Sequence, residues 1–126
     1  MINPKKFKNG LKSFVNAVND MGMELGLWFE PEMVNVKSFL YEKHPGYAVK
    51  VPSKRMTMGR NQLVLDLCRE DVRDYVVKSV STIVDSANIT YVKWDMNRHI
   101  SDAYSQHLSN QKEFHHRYNL DLYAVI

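Results

Sequence analysis

One cysteine, Cys68, is all this 126-residue sequence carries, so no disulfide can form within the chain. No run of about 18 apolar residues is present, the length a helix needs to cross a bilayer, and no basic stretch leads into an apolar one as in an export signal. A reducing cytoplasm is the expected setting. The five glycines, Gly10, Gly22, Gly26, Gly46 and Gly59, are too dispersed for a phosphate-cradling loop. His99, His107, His115 and His116, with Glu113, lack the His-x-x-x-His spacing, and adjacent histidines on a helix diverge by about 100 degrees, so no metal is expected. The net charge of +3 comes from scattered residues with one short cluster, Lys5-Lys6 with Lys8. Nucleic acid calls for a basic stripe or patch, and none is present, so it is not an expected partner. No sequence feature calls for a cofactor.

What is present begins with an ordinary globular composition, 44% hydrophobic and 25% charged, which suits one buried core and names no function. Asn3-Pro4 reads as a helix N-cap and first-turn proline, and Phe7, Leu11, Phe14, Val15 and Val18 recur at helical spacing until Gly22 stops the element. A short apolar run over 23–29 ends at Glu30-Pro31, where proline's missing donor closes strand pairing. Residues 32–61 have little periodicity and read as a long loop, with a helical turn near 36–41; loops of that length are rare unless they serve a function. A strand is expected over 63–67. Val72, Tyr75, Val76, Val80, Ile83 and Val84 then mark a helix with Glu70 and Asp71 in its first turn, and a strand follows over 89–95. Strand, helix and strand in succession imply a parallel, right-handed crossover. Over 111–126, Phe114, Tyr118, Leu122 and Val125 keep helical spacing without a closing residue, so this helix is expected to be cut rather than ended. No repeat or linker divides residues 1–126.

The run Tyr91-Val92-Lys93-Trp94-Asp95-Met96-Asn97-Arg98 carries the chemistry. Alternation along a strand puts Tyr91, Lys93 and Asp95 on one face and Val92 and Trp94 on the other, so Trp94 is expected to pack in the core. Two opposite charges on one strand face are costly to bury unless paired, which points to a polar site at the strand's C-terminal end. From the residues alone, Asp95 is either a catalytic carboxylate, a structural partner of Lys93 or a helix N-cap. Trp28 and Glu30 share a face of the earlier strand, and an exposed tryptophan offers a sugar ring an apolar platform. Arg60 reads first as a loop arginine, and Asn97 as a turn or cap residue.

Three blocks in order and spacing, Gly26-Leu27-Trp28-Phe29-Glu30-Pro31-Glu32-Met33-Val34, Gly59-Arg60-Asn61-Gln62-Leu63-Val64-Leu65-Asp66 and Val92-Lys93-Trp94-Asp95-Met96-Asn97-Arg98, resemble the microbial α-galactosidases of glycoside hydrolase family 36. His116-Arg117-Tyr118 and Leu122-Tyr123 extend the resemblance over nearly the whole chain.

The resemblance implies an α/β fold, a partial (β/α)8 TIM barrel covering about the third and fourth β/α units. It implies a retaining glycosidase that hydrolyses terminal α-linked galactose, as in melibiose and raffinose, without a cofactor. Hydrolysis of α-linked N-acetylgalactosamine and galactosyl transfer are the neighbouring activities. Asp95 would be the nucleophile, and Arg60, Lys93, Asn97 and Trp28 would bind the sugar, with Lys93 also favouring the ionised nucleophile. Glu30 and Glu32 would orient the pocket, and the acid/base would be an aspartate beyond these residues. The chain alone is therefore expected to be inactive, either a truncated product or a weak sugar binder, while the full-length enzyme is expected to be a homo-oligomer.

Overall fold

The run that carries Asp95 forms a strand that pairs in parallel with the strand carrying Trp28. The computed structural model describes residues 2–96 and 98–126 of a mixed α/β chain. Asn97, named above as a sugar contact, lies outside the described residues. The chain divides into two units, Met1–Phe29 with Lys78–Asp95, and Glu30–Val77 with Met96–Ile126.

The first unit contains helix α1 (Gly10–Asp20), strand β1 (Gly26–Phe29) and strand β4 (Tyr91–Trp94). Aromatic residues make up half of each strand, Trp28 and Phe29 in β1 and Tyr91 and Trp94 in β4, as a pleated surface favours. The register sets Gly26 beside Tyr91, Leu27 beside Val92, Trp28 beside Lys93 and Phe29 beside Trp94. Gly26 is needed at its position because a Cβ there would lie 2.2 Å from the Tyr91 ring. The ladder extends at both ends, with Thr90 N–H donating to Leu25 O and Asp95 N–H to Phe29 O.

α1 starts later than the Asn3-Pro4 signal implied. Asn3 does cap a turn, its Oδ1 accepting from Lys5 N–H and its carbonyl from Lys6 and Phe7 N–H, but Gly10 has φ +79°, which breaks that turn from the helix. The expected stop is borne out. Gly22 at φ +76° sends its N–H to Asn19 O while Met23 N–H reaches Val18 O, the paired bonds of a Schellman closure.

The second unit holds strand β2 (Met33–Asn35), helix α2 (Phe39–Lys43), strand β3 (Gln62–Val64) and helix α4 (Phe114–Tyr123). Short 3-10 turns at Pro45–Tyr47 and Gln111–Glu113 complete it. The expected loop over 32–61 is thus partly ordered. Met33 and Val34 are buried because β2 pairs antiparallel with β3, Met33 beside Val64 and Val34 beside Leu63. Ser38 caps α2 through its side chain, which accepts from Tyr41 N–H.

This pairing also corrects the expected crossover. Helix α3 (Glu70–Val84) has the predicted bounds and its acidic first turn, but the strand before it pairs antiparallel with β2. β4's parallel partner is β1, a relation that local periodicity does not contain. The core of the second unit gathers Leu63, Leu65, Leu67, Val72, Val76, Phe114 and Tyr118. Tyr118 hydroxyl donates to Leu65 O at 3.0 Å, and Arg73 and Arg117 reach the buried Asp121 at 3.1 and 3.5 Å. α4 spans Phe114–Tyr123, and the Ala124 and Val125 N–H groups return to the Leu120 and Leu122 carbonyls.

Candidate functional site

In a parallel pair, residues in register share a face, so Trp28 and Lys93 project together and Asp95, two residues on, follows them. Asp95 is tied to β1 twice. Its N–H donates to Phe29 O at 2.9 Å, and its Oδ2 accepts the indole Nε1–H of Trp28 at 2.8 Å. The second bond fixes the rotation of the carboxylate. Trp28 remains 51% exposed, so its ring still offers apolar surface beside that carboxylate. The first unit therefore assembles three of the sequence-predicted residues, Trp28, Lys93 and Asp95, at the C-terminal end of two parallel strands. Trp94, expected in the core, is half-buried on the opposite face, and its buried Nε1 has no acceptor among the described residues.

Arg60 lies in the second unit, in a tight turn that leads into β3. Gly59 and Gln62 exchange both backbone hydrogen bonds, at 3.0 and 2.9 Å, and Arg60 and Asn61 between them have φ +54° and +60°. That is the two-residue turn in which both central residues are left-handed, a place usually taken by asparagine and glycine. An arginine there carries strain of about 1 kcal/mol. Its Nη1 donates to Glu30 Oε1 at 3.2 Å; the arginine side chain is 64% exposed and the glutamate 12%. Glu30 thus orients the arginine head. An open cleft of about 260 Å³ runs beside the turn, lined by Met33, Met58, Arg60, Arg98 and His99 among others.

Two residues of this site escaped the sequence reading. Arg98 closes the third quoted block, but nothing in its local pattern says that its guanidinium turns back to donate to the carbonyls of Thr57 and Gln62. Asp102, 8% exposed, accepts from Lys54 Nζ at 2.7 Å, from Thr57 N–H at 2.9 Å and from the Thr57 hydroxyl at 3.1 Å. Burial by itself would raise the Asp102 carboxyl, but the donors from Lys54 and Thr57 outweigh it and hold the carboxyl below its usual range.

A second cavity of about 260 Å³ opens beside Asp66, Ser105, Lys50 and Tyr104. Ser105 hydroxyl donates to Asp66 Oδ2 at 2.7 Å, and Cys68 N–H to its Oδ1 at 3.2 Å. Burial raises the Asp66 carboxyl above its usual range despite those donors. Burial and the Asp66 charge push the Cys68 thiol up to about 12, so it is no nucleophile at neutral pH. Among the described residues no group of three or more His, Cys, Asp and Glu side chains is placed to hold a metal ion.

Fold and site together define a mixed α/β protein whose parallel strands deliver a fixed carboxylate, a lysine and a tryptophan to one strand-end face. The Melibiase family model matches residues 1–126, and the chain belongs to that family. It is 49% identical over 128 residues to α-galactosidase AgaA of Geobacillus stearothermophilus, covering 100% of this chain and 18% of that protein. It is 46% identical to α-galactosidase Mel36A of Lactobacillus acidophilus, covering 97% of this chain and 17% of the relative. The crystal structure of the family 36 α-galactosidase AgaB from Geobacillus stearothermophilus superposes with a TM-score of 0.94 at 50% identity, over 99% of this chain and 18% of that one. A doubly substituted AgaA in complex with raffinose superposes with a TM-score of 0.93 at 49% identity, over the same shares. The chain thus spans under a fifth of the length of each of these relatives.

Proposed function

We propose that these residues are part of the catalytic TIM barrel, about its third and fourth β/α units, of a retaining α-galactosidase acting on oligosaccharides such as melibiose and raffinose. The observation that carries the reading is the Trp28–Asp95 hydrogen bond at a parallel strand end, in a chain matched throughout by the Melibiase family. β1 and β4 would be neighbouring barrel strands, which are parallel and carry reacting groups at their C-terminal ends.

In this reading Asp95 attacks the anomeric carbon of the galactosyl group. The bond to the aglycone oxygen breaks as that oxygen takes a proton from an acid outside these residues, and an ester to Asp95 forms. Water, deprotonated by the same group, then cleaves the ester with a second inversion, releasing α-galactose. Lys93, Arg60 and Asn97 hold sugar hydroxyls with charged or amide donors. Trp28 packs its ring face on the sugar while its N–H keeps the Asp95 carboxylate in the attacking orientation. No cofactor takes part. A homo-oligomer in the cytoplasm is the proposed setting of the full gene product.

The test is turnover of raffinose and a nitrophenyl α-galactoside by the full gene product, with the product anomer followed by NMR before mutarotation. The reading predicts that α-galactose forms first. Release of the β anomer would remove the covalent intermediate, and no release of galactose would remove the activity.

A further inference from the structure

The turn that carries Arg60 is held from behind. The Arg98 guanidinium donates one N–H to Gln62 O and another to Thr57 O, so it spans the two sides of the turn. Its plane lies against Gly59, where an added Cβ would sit 3.2 Å from both Cζ and Nε. A side chain at 59 would require the guanidinium to give by a few tenths of an ångström. Thr57 is also gripped on its other side, its N–H and hydroxyl both going to Asp102. Arg98 and Asp102 follow Asp95 in the chain by three and seven residues.

We propose that Arg98 is a positioning residue, backed by Asp102, that sets the turn from which Arg60 reaches the sugar. The inference rests on the sugar-binding reading of Arg60 given above. Its physical ground is the turn itself. Arg60 and Asn61 both hold left-handed backbone that larger residues rarely adopt, and without Arg98 the turn would keep its own two hydrogen bonds, the pairing of Gln62 with Asn35 and the exposed bond from Asn35 Nδ2 to Asn61 O, none of which holds the carbonyl of Thr57. A planar fork fixing the carbonyls at 57 and 62 confines the turn to one conformation. An exposed arginine then approaches its ligand with little backbone entropy left to lose. Lysine has the charge and three donors, but on one nitrogen at the end of a flexible stem, so it does not hold the two carbonyls at a fixed separation as the planar fork does.

The experiment compares the full gene product with Arg98→Lys, Arg60→Ala and the double variant. Arg98→Lys is expected to raise KM for a nitrophenyl α-galactoside about tenfold with a smaller change in kcat, and to add little once Arg60 is alanine. Amide exchange over 57–62 should accelerate about tenfold in Arg98→Lys. If Arg98→Lys fails to fold, Gly59→Ala serves instead: it crowds the same guanidinium, and faster exchange over 57–62 with a smaller, severalfold rise in KM is expected. Additive losses in the double variant would overturn the positioning role, as would a lowered melting temperature with KM unchanged. Unchanged exchange over 57–62 would overturn the latch even if activity fell. Absence of turnover by the unmodified protein would overturn the function reading, and the exchange measurement would still decide the latch.

Discussion

The indole N–H of Trp28 donates to Oδ2 of Asp95 at 2.8 Å, joining residues 67 positions apart in the sequence. The bond gives the tryptophan two separable roles, as apolar surface and as a donor to the carboxylate. Trp28→Phe keeps most of the surface and removes the donor. It is expected to lower kcat by about tenfold to a hundredfold, or about 1.4 to 2.8 kcal/mol, with KM less affected. Because Trp28 is half exposed, the melting temperature should move little. Unchanged kcat in Trp28→Phe would mean that the indole does not set the carboxylate's orientation.

Arg60 pays for its place with backbone strain, so removing it should separate stability from activity. Arg60→Gly relaxes φ +54° but takes one donor from the largely buried Glu30 carboxylate, so the two effects offset and stability is expected to stay within about 1 kcal/mol of the unmodified protein. Sugar affinity should fall at least tenfold. Thermal melting and KM measured on one preparation check both halves. A destabilised Arg60→Gly with unchanged KM would make the arginine a structural residue.

The local elements that the sequence revealed are those with local causes. The Schellman closure at Gly22 and the acidic first turn of α3 depend on residues within one helix, so spacing finds them. The partnership of β1 with β4 depends on contacts between residues more than sixty positions apart, and periodicity is silent about it. The β2–β3 pairing was missed because β2 is three residues long, follows Pro31 and Glu32, which read as loop chemistry, and lies 26 residues before β3. At the site, alternation sufficed to put Lys93 and Asp95 on one face. The donor to Asp95 and the grip of Arg98 on Thr57 and Gln62 are tertiary, and no spacing rule announces them.

The pH dependence of the Arg60 loop follows from Asp102. Its carboxyl is held below the ordinary value of 3.8, so the native state favours the ionised form. Its contribution is present above about pH 4 and is lost as pH falls through the folded-state value. Asp102→Asn should therefore cost about 1 to 2 kcal/mol at pH 7, and the gap from the unmodified protein should narrow below pH 4. Melting curves at pH 7 and pH 3 check the sign. A gap that widens in acid would contradict the assignment of Lys54 and Thr57 as the donors that hold this carboxylate.

The first unit leaves Phe14, Trp28, Tyr91 and Val92 substantially exposed around a two-stranded parallel sheet. Parallel pairs are normally covered on both faces, and open edges and apolar patches invite association. The 126-residue chain expressed by itself is expected to be associated and to lack turnover. Light scattering and thermal melting test this, and a monodisperse monomer with a cooperative transition would contradict it.

The central claim is that Asp95 forms the bond to the sugar. A fluorinated α-galactosyl donor whose ester hydrolyses slowly would trap that bond in the full gene product, and peptide mapping by mass spectrometry would locate it. The account predicts one galactosyl adduct, on the peptide containing Asp95 and at that residue, absent from Asp95→Asn. An adduct on Glu30 or elsewhere, or unchanged labelling of Asp95→Asn, would contradict it.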